Sequence, residues 1–462
     1  MGRKAWQFAS TLPAEKLSQV QNPGINTSLL VEHAYNPIYR RYQYDPAGEL
    51  VRTLDKLRGE IKYEYEANGQ LHSRDTGSLV GSEEFRYDPA ANRLDFNARQ
   101  LEKVKDNRIK RWRDQEYRYD PWGNLIEKRS GHSKLQSFSY DCENRLVRAE
   151  TQINGKLEST GTYRYDSLGR RIAKTAEIGG TSEQKHFLWQ GLRMLREETP
   201  GQSILYVYEP GSYAPLARVD QAEGEGQKVY YFHTDQIGTP LELTDSQGEI
   251  VWQATYRSWG AIEQLTINEV EQNLRFQGQY FDNEAALNYN TFRYYDPEIG
   301  RFITQDPIGL RGGGNLYAYV LSPTLWIDPL GWVPWEKNGF ESWFNDASVQ
   351  DVIDNKKAVE DALRKPGGKH EMFPVSIASK AKELGFTAQE LKEMTVPTKD
   401  ITFVGVTDRH GNPVPDGPHH GSSAGRNFHN KLIKDLVKTQ SKVEALSVID
   451  VHHRNHMRLG AC

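Results

Sequence analysis

The chain is poor in cysteine, in long apolar runs and in net charge. Its two cysteines, Cys142 and Cys462, provide no disulfide framework. A mean hydropathy of −0.73 and the absence of any long apolar run predict no transmembrane helix. The net charge of −4 excludes an overall basic surface for nucleic acid, although a local one stays open. The first residues, MGRKAWQFASTLPAEKL, lack the apolar core of a secretory signal, so export would need another machinery.

A repeat with two aromatics runs through the first part of this 462-residue chain, which is long enough for two or more structural units. Copies such as YQYDPAGEL and YRYDPWGNL predict a strand with aromatics on one face, a turn and a second strand. One hairpin cannot bury its aromatic face alone, so the copies should line up into a continuous sheet. The second aromatic of each copy falls at Tyr44, Tyr65, Tyr87, Tyr119, Tyr140 and Tyr165.

These repeats resemble the YD repeats of Rhs proteins and of the related C components of insecticidal toxin complexes. Residues 230–260 and 275–310 resemble the C-terminal Rhs core, and the likeness covers residues 35–332. It implies a mainly β fold, a β-cocoon in which a spiralling antiparallel sheet encloses a toxin, followed by a small α+β toxin domain. Full Rhs cores carry more repeats, so this chain is expected to be the last part of a cocoon or a short family member.

The domain prediction has four segments: an N-terminal lead-in at 1–34, the YD-repeat β-cocoon at 35–274, a core-associated region at 275–332 and the toxin domain at 333–462. The resemblance implies an antibacterial effector that a type VI apparatus secretes into the cytoplasm of a target cell. Its implied partners are a cognate immunity protein and secretion machinery of the VgrG or chaperone type. The alternative is a YD array that binds carbohydrate or a cell surface.

Two Asp-Pro-x-Gly motifs begin at Asp306 and Asp328, 22 residues apart. A single copy of this motif is an ordinary type I turn. In Rhs proteins two copies at this spacing form a self-cleaving site similar in logic to an aspartic protease. Such chemistry needs two close carboxylates that share a proton, one activating water and one polarising the carbonyl. The resemblance also implicates Arg293 and places the cut between Trp332 and Val333.

Beyond residue 332 the repeats end and helical periods begin. Apolar spacing predicts helices within 345–365, 375–394 and 428–449. Thr387 followed by Glu390 predicts a capping box. Residues 364–462 carry fifteen Lys and Arg against ten Asp and Glu, which mildly favours a phosphate-bearing substrate. The residues expected to face a core in the last helical segment are Phe428, Leu432, Ile433, Leu436 and Val437.

Histidine is concentrated near the end of the chain, which holds eight of the thirteen. Such enrichment favours metal ligation or acid–base chemistry, with scattered surface histidines as the plainer alternative. Because Cys462 is the one cysteine in this part of the sequence, a Cys-rich zinc finger and a zinc deaminase are excluded. The eight are His370, His410, His419, His420, His429, His452, His453 and His456.

The segments GGKHEMFPVSIASKAKELGFT and DGPHHGSSAGRNFHNKLIKDL are similar to HNH/endonuclease VII toxin nucleases of the GH-E and AHH type. The likeness implies hydrolysis of DNA, or of RNA, with a divalent metal ion: Mg²⁺, Mn²⁺ or Zn²⁺. His370 or Glu371 would be the general base, with Lys369 where that family has Gly. The implied metal ligands are His420, His429 and His370, supported by His419 and Asn427.

Two groups of residues have other interpretations. Ser422 and Ser423 are expected to cap the following helix rather than to act as nucleophiles. His452, His453 and His456 are interpreted either as accessory ligands or as an exposed tail. A toxin that modifies NAD or a protein is the alternative to a nuclease.

Overall fold

A computed structural model describes most of the chain and divides it into two compact units, residues 2–337 and 338–462. The predicted boundary at 332/333 stays a prediction, because Trp332 and Val333 lie outside the described residues, as does Cys462. None of the described helices is both long and apolar enough to cross a membrane. The described residues are 3–10, 36–95, 104–210, 212–307, 309–311, 314–331, 335–336, 344–345, 349–354, 356–364, 369–398 and 401–459.

The first unit is built from antiparallel strands that pair with their neighbours in sequence. The first sheet comprises β1 Trp6–Ala9, β2 Ile38–Tyr44, β3 Leu50–Asp55, β4 Gly59–Tyr65, β5 Leu71–Asp75 and β6 Glu83–Glu84. The second sheet comprises β7 Arg111–Trp112, β8 Gln115–Tyr119, β9 Leu125–Ser130, β10 Lys134–Tyr140, β11 Leu146–Ile153, β12 Lys156–Tyr165, β13 Arg171–Ile178, β14 Thr181–Gln190, β15 Arg193–Thr199, β16 Gln202–Tyr208, β17 Pro215–Ala222, β18 Lys228–Thr234, β19 Pro240–Thr244, β20 Ile250–Tyr256 and β21 Ile262–Asn268.

The repeats that begin at Tyr42, Tyr117 and Tyr163 turn at an Asp followed three residues later by a Gly. The Asp120 N–H donates to the Asn124 carbonyl at 2.9 Å, and the Gly123 N–H donates to the Asp120 carbonyl at 3.1 Å. Asp120 Oδ1 also accepts the Asn124 N–H at 2.8 Å, and Gly123 has a φ of +89°. The same bonds recur at Asp45 and Asp166. These contacts confirm the turn predicted from the repeat and show that Asp acts there through its backbone neighbours.

The second aromatic of a repeat ties its hairpin to the preceding one. Four of the six hydroxyls donate to the carbonyl of the leucine that begins the second strand of the repeat before them. The register slips by one residue just before these tyrosines, as between Ser139 and Tyr140. The repeat that begins at Phe85 forms only an isolated bridge, between Tyr87 and Arg93. The repeats before it and those after it therefore belong to two separate sheets, not to the one continuous sheet that was predicted. The donor and acceptor pairs are Tyr65 to Leu50, Tyr87 to Leu71, Tyr140 to Leu125 and Tyr165 to Leu146.

A small sheet packs against the aromatic face of the repeats. Tyr289 and Tyr294 from this sheet share one core cluster with Tyr117, Phe138 and Tyr163 from the repeats. Burial on both faces explains why nearly all its residues are inaccessible. It comprises β22 Tyr280–Asp282, β23 Leu287–Asn290, β24 Arg293–Asp296 and β25 Arg301–Phe302, and is followed by a 3₁₀ turn, Gly309–Arg311, and the pair β26 Trp326–Ile327 and β27 Trp335–Glu336.

The second unit is an α+β assembly of short elements. Its helices are α1 Val349–Asp354, α2 Lys356–Leu363, α3 Ala378–Glu383, α4 Ala388–Glu393, α5 Ser423–Leu436 and α6 Lys442–His456, with a 3₁₀ turn at Val375–Ile377. Its strands are β28 Lys369–Glu371 paired with β29 Thr395–Pro397, and β30 Ile401–Phe403 between β31 Gly417–Pro418 and β32 Met457–Leu459.

Local signals set the helix starts in this unit. The predicted capping box is confirmed, since Thr387 and Glu390 bond reciprocally at the start of α4. Ser422 caps α5 by accepting the Gly425 N–H at 2.9 Å, as expected. The expectation for Val437 was wrong: its side chain is 52% exposed, because α5 ends before it and a turn leads into α6.

Candidate functional site

The aspartates of the two Asp-Pro-x-Gly motifs contact the same buried arginine side chain in the first unit. The Nη2 atom of Arg293 lies 3.1 Å from Oδ2 of Asp306 and 3.4 Å from Oδ2 of Asp328. The Asp328 side chain is fully buried and that of Asp306 is 5% exposed. The guanidinium of Arg293 lies 3.5 Å from the centre of the Phe302 ring, and its Nη1 donates to the Leu316 carbonyl. Asp306 and Asp328 are called the aspartate pair below.

The aspartate pair differs from the ordinary turns of the repeats. At Asp120 a carboxylate oxygen accepts the backbone N–H four residues ahead. The carboxylates of Asp306 and Asp328 reach a side chain on β24, distant in sequence. Burial lowers the pKa of Arg293, and the two carboxylates oppose that effect. Two carboxylates held at one nitrogen are close enough to influence each other's protonation.

The second motif is clamped against neighbouring backbone. A Cβ on Gly278 would lie 2.0 Å from the Pro329 carbonyl oxygen, so only glycine fits there. Asn290 Nδ2 donates to the Asp328 carbonyl at 2.8 Å. Gly331 has a φ of +71°, and a Cβ on it would lie 2.9 Å from the Asn290 carbonyl. These contacts fix the chain just before the predicted cut.

Four imidazoles from separate segments meet in the second unit. They belong to His370 on β28, His419 after β31, His429 on α5 and His453 on α6. His370 Nδ1 lies 3.0 Å from Nε2 of His419 and 3.3 Å from Nε2 of His429. His370 Nε2 lies 2.9 Å from Nε2 of His453. His370, His419 and His429 are called the histidine triplet below.

Burial favours the neutral form of His370, His419 and His453. Phe403 stacks on Phe428 at 4.3 Å between ring centres, and His370 lies 5.6 Å from Phe403. Burial, followed by the neighbouring imidazoles, lowers the pKa of His370 to about 2. The same causes lower the pKa of His419 to about 4, and burial also lowers that of His453. Neutral imidazole is the form that binds a metal ion.

The spacing of the histidine triplet fits a metal ion. One nitrogen from each of the three rings lies within 4.8 Å of the others. Two nitrogens bound at about 2.0–2.1 Å to one tetrahedral Zn²⁺ lie about 3.3 Å apart. His370 Nδ1 lies 3.0 Å from the nitrogen of one partner and 3.3 Å from that of the other. Imidazole donors favour a transition metal over Mg²⁺.

The structure distributes the other predicted site residues around this triplet. His420, an expected ligand, is exposed and lies outside the triplet, with its Nδ1 3.4 Å from Nδ1 of His419. Glu371 is ion-paired with Arg364 at 3.5 Å. The Asn427 side chain donates to a backbone carbonyl of its own helix, at Ser423. A cleft of about 360 Å³ joins several of these groups, lined by Arg364, Glu371, His419, His420, Arg426 and His429.

The three histidines near the end of the chain have different environments. His452 Nε2 lies 3.1 Å from Oδ2 of Asp435, and His456 Nδ1 lies 3.1 Å from the Val404 carbonyl. His453 is 4% exposed and contacts His370 directly. The three lie on α6, so they are not an exposed tail.

A family model described as the Teneurin YD-shell matches residues 32–310. The chain belongs to the YD-shell family. The predicted likeness to Rhs and YD-repeat toxins and the mainly β fold are therefore confirmed. The match covers the second sheet and all of the first except β1, and it includes Arg293 and Asp306.

Relatives of this YD-shell protein include much longer toxins. It is 40% identical over 356 residues to the double-stranded DNA deaminase toxin A of Burkholderia cenocepacia, covering 72% of this chain and 24% of that protein. It is 34% identical to the toxin protein Tse5 of Pseudomonas aeruginosa, covering 63% and 27%. It is 31% identical to the probable deoxyribonuclease RhsA of Dickeya dadantii, covering 63% and 21%. The chain thus spans about a quarter of the length of these relatives.

Sequence reasoning about the YD-shell protein did not find the contact between His453 and His370. A usable signal was present, because Ala445, Ile449 and His453 follow one another at four-residue intervals on α6 and are all buried. A histidine that continues an apolar stripe is expected to face the interior. The two arginines of the cleft, Arg364 and Arg426, had no distinguishing sequence signal.

Proposed function

We propose that this YD-shell protein is an Rhs effector that cuts itself and releases a C-terminal, metal-dependent DNA nuclease. The aspartate pair supports self-cleavage, and the histidine triplet supports metal-dependent hydrolysis. One relative is named a DNA deaminase toxin and another a probable deoxyribonuclease, which favours DNA over RNA as the substrate to test first. Delivery into the cytoplasm of a target cell, through machinery of the VgrG or chaperone type, and neutralisation by an immunity protein belong to the same proposal.

For self-cleavage, the aspartate pair shares one proton. The ionised member takes a proton from water as the water oxygen attacks the carbonyl carbon of Trp332, and the protonated member donates to the carbonyl oxygen. The C–N bond to Val333 then breaks as the leaving nitrogen takes a proton from the pair. Arg293 contacts both carboxylates and holds them together. The clamped turn before the cut supports this assignment, because cleavage needs a fixed peptide bond.

For nuclease activity, the histidine triplet would hold the cation. A bound divalent ion supplies positive charge for the phosphodiester and the leaving oxygen. His370 is fully buried and both its ring nitrogens face other imidazoles, so it serves as a ligand rather than as a base. We assign the base to His420, because it is exposed and lines the cleft, whereas Glu371 is ion-paired with Arg364.

Two cationic side chains in the cleft fit a phosphodiester substrate. Arg426 and Arg364, the latter paired with Glu371, line the same cleft as His419 and His429. Arginine presents a planar fork of donors that matches two phosphate oxygens. They would position the backbone of a nucleic acid while His420 takes a proton from water.

The observation that carries the nuclease proposal is the convergence of three imidazole nitrogens at the edge of this cleft. The test incubates the purified full chain with plasmid DNA and, in parallel, with RNA. We expect DNA degradation that EDTA stops and that Mn²⁺, Mg²⁺ or Zn²⁺ restores. Degradation that is indifferent to EDTA would contradict the metal site. Intact DNA and RNA under all three metals would favour the alternative toxin that modifies NAD or a protein.

A further inference from the structure

The tautomers of two histidines are fixed by backbone carbonyls. His429 Nδ1 lies 2.6 Å from the Gly425 carbonyl, and His453 Nδ1 lies 2.7 Å from the Ile449 carbonyl. A carbonyl oxygen only accepts, so each Nδ1 carries the proton. In each neutral ring, Nε2 therefore carries a lone pair and can only accept a hydrogen bond.

A neutral His370 has one N–H, and two acceptors compete for it. On Nε2 the proton would be donated to His453 Nε2 at 2.9 Å, and on Nδ1 it would be donated to His429 Nε2 at 3.3 Å. The contact with His453 is the shorter of the two, and His419 Nε2 lies 3.0 Å from His370 Nδ1, where it can donate a hydrogen bond to a lone pair. The contacts therefore favour the proton on Nε2 and the lone pair on Nδ1.

We infer that His453 is a positioning residue, whose Nε2 holds His370 in the Nε2–H tautomer and so directs the Nδ1 lone pair of His370 toward the metal position. The effect of His453 on metal binding rests on the proposed function, whereas the tautomer of His370 is a property of the metal-free protein. A ligand histidine normally donates its second N–H to an oxygen acceptor. Here the acceptor is another imidazole, oriented in turn by a helix carbonyl at Ile449.

The burial of both rings gives the His370–His453 hydrogen bond a strong influence on the tautomer of His370. His370 and His453 are 0% and 4% exposed, so water does not readily replace the acceptor. The ring of Phe428 lies 5.1 Å from that of His453 and 6.1 Å from that of His370. A buried N–H without an acceptor costs about 1–3 kcal/mol. If His453 could not accept, His370 would favour the opposite tautomer, with its proton on Nδ1 and directed at the metal position.

Two substitutions in the full chain separate hydrogen bonding from packing. His453→Gln places an amide oxygen near the position of Nε2 and keeps an acceptor. His453→Phe keeps a ring of similar size at a buried position beside Phe428 and removes the acceptor. Circular dichroism and the thermal midpoint of the metal-free proteins check that each variant folds.

The direct readout is the tautomer of His370 in metal-free, ¹⁵N-histidine-labelled protein, assigned by comparison with His370→Gln. We expect the Nε2–H form in the wild type and in His453→Gln, and a shift to Nδ1–H in His453→Phe. An unchanged tautomer in His453→Phe would overturn the inference. So would a wild-type protein with the proton on Nδ1.

The second readout is affinity for Mn²⁺ and Zn²⁺, measured by titration. We expect His453→Phe to bind about 10–100-fold more weakly than wild type, the usual effect of losing such a partner. His453→Gln should stay within about threefold of wild type. Equal weakening in both variants would show that only shape matters and would refute the acceptor role. A wild-type chain that binds no metal would refute the proposed nuclease instead, while the tautomer experiment would still decide the role of His453.

Discussion

The YD-shell unit buries ionisable side chains of opposite sign together, whereas the C-terminal unit buries imidazoles against imidazoles. In the shell, Lys174 Nζ lies 2.9 Å from Oδ1 of Asp282 and 3.1 Å from Oε2 of Glu284, and Arg171 pairs with the same Asp282. Burial alone would lower the pKa of Arg171, but Asp282 overrides it and raises that pKa. Such balanced groups join strands that are distant in sequence.

The C-terminal unit has no such balance at its histidine cluster. The contacts of the His370 ring nitrogens are the nitrogens of His419, His429 and His453. His370 Nδ1 and His429 Nε2 face each other as two lone pairs, and that contact stabilises nothing by itself. The buried charges of the shell thus neutralise one another within the fold, whereas the imidazole cluster lacks such pairing and is where we propose that a metal ion binds.

The aspartate pair combines features of both cases, because two like charges are buried together beside one arginine. Its substitution gives the largest expected effect. We predict that the purified wild-type chain runs on a denaturing gel as a fragment ending near residue 332 and one of 130 residues. Asp306→Asn and Asp328→Asn should each leave one full-length band, because an amide serves neither as acid nor as base. Asp120→Asn, in an ordinary turn of the repeats, is the matched control and should cleave normally. Full cleavage in both variants, or an uncut wild type, would refute self-cleavage.

The second prediction tests the imidazole side of the comparison. His419→Ala or His429→Ala should reduce plasmid degradation by about a hundredfold or more, because the charge supplied by a metal ion contributes several kcal/mol to catalysis. His410→Ala is the control, since His410 lies in an exposed turn bonded to Asp408. Helix content measured by circular dichroism should be unchanged in all three. Retained activity in both His419→Ala and His429→Ala would show that the active site lies elsewhere.

The third prediction tests whether the charges of the shell serve the fold. Asp282→Asn leaves Arg171 and Lys174 buried with less negative charge, and breaking a buried pair in this way costs about 3–5 kcal/mol. Urea denaturation of the full chain should show this loss in the shell transition. Glu116→Gln removes half of an exposed pair with Arg111 and should leave the midpoint unchanged. Equal, small effects in the two variants would erase the distinction between buried and surface pairs.

The smallest effect concerns a half-buried imidazole in the shell. Burial lowers the pKa of His233 to about 4, and its Nε2 lies 2.9 Å from the Thr244 hydroxyl. A folded-state pKa below the unfolded value of about 6.5 gives stability that is present above pH 6.5 and lost as the pH falls toward 4. The loss from this group is at most about 1.4 kcal/mol per pH unit.

The measurement is the thermal midpoint of the shell between pH 7 and pH 4. His233→Gln should flatten that dependence. The exposed His186, on β14 of the same sheet, is the control, and His186→Gln should keep the wild-type slope. A wild-type slope in His233→Gln would show that other groups account for the acid sensitivity.

The sequence by itself determined what depends on near neighbours along the chain. The turns at Asp45 and Asp120, the capping box at Thr387 and the cap at Ser422 each join residues within four positions. The spacing of aromatics likewise predicted antiparallel hairpins with a shared buried face. These features follow from local hydrogen bonding and side-chain alternation, which the order of residues alone dictates.

Only the tertiary structure decided which side chains meet. His419 and His420 are adjacent in sequence, yet it is His419 whose nitrogen joins the triplet, because the chain turns between β31 and α5. His453 reaches His370 across 83 residues, and Arg293 reaches Asp328 across 35. Ring direction and long-range contact depend on how whole elements pack, and residue spacing carries little of that information.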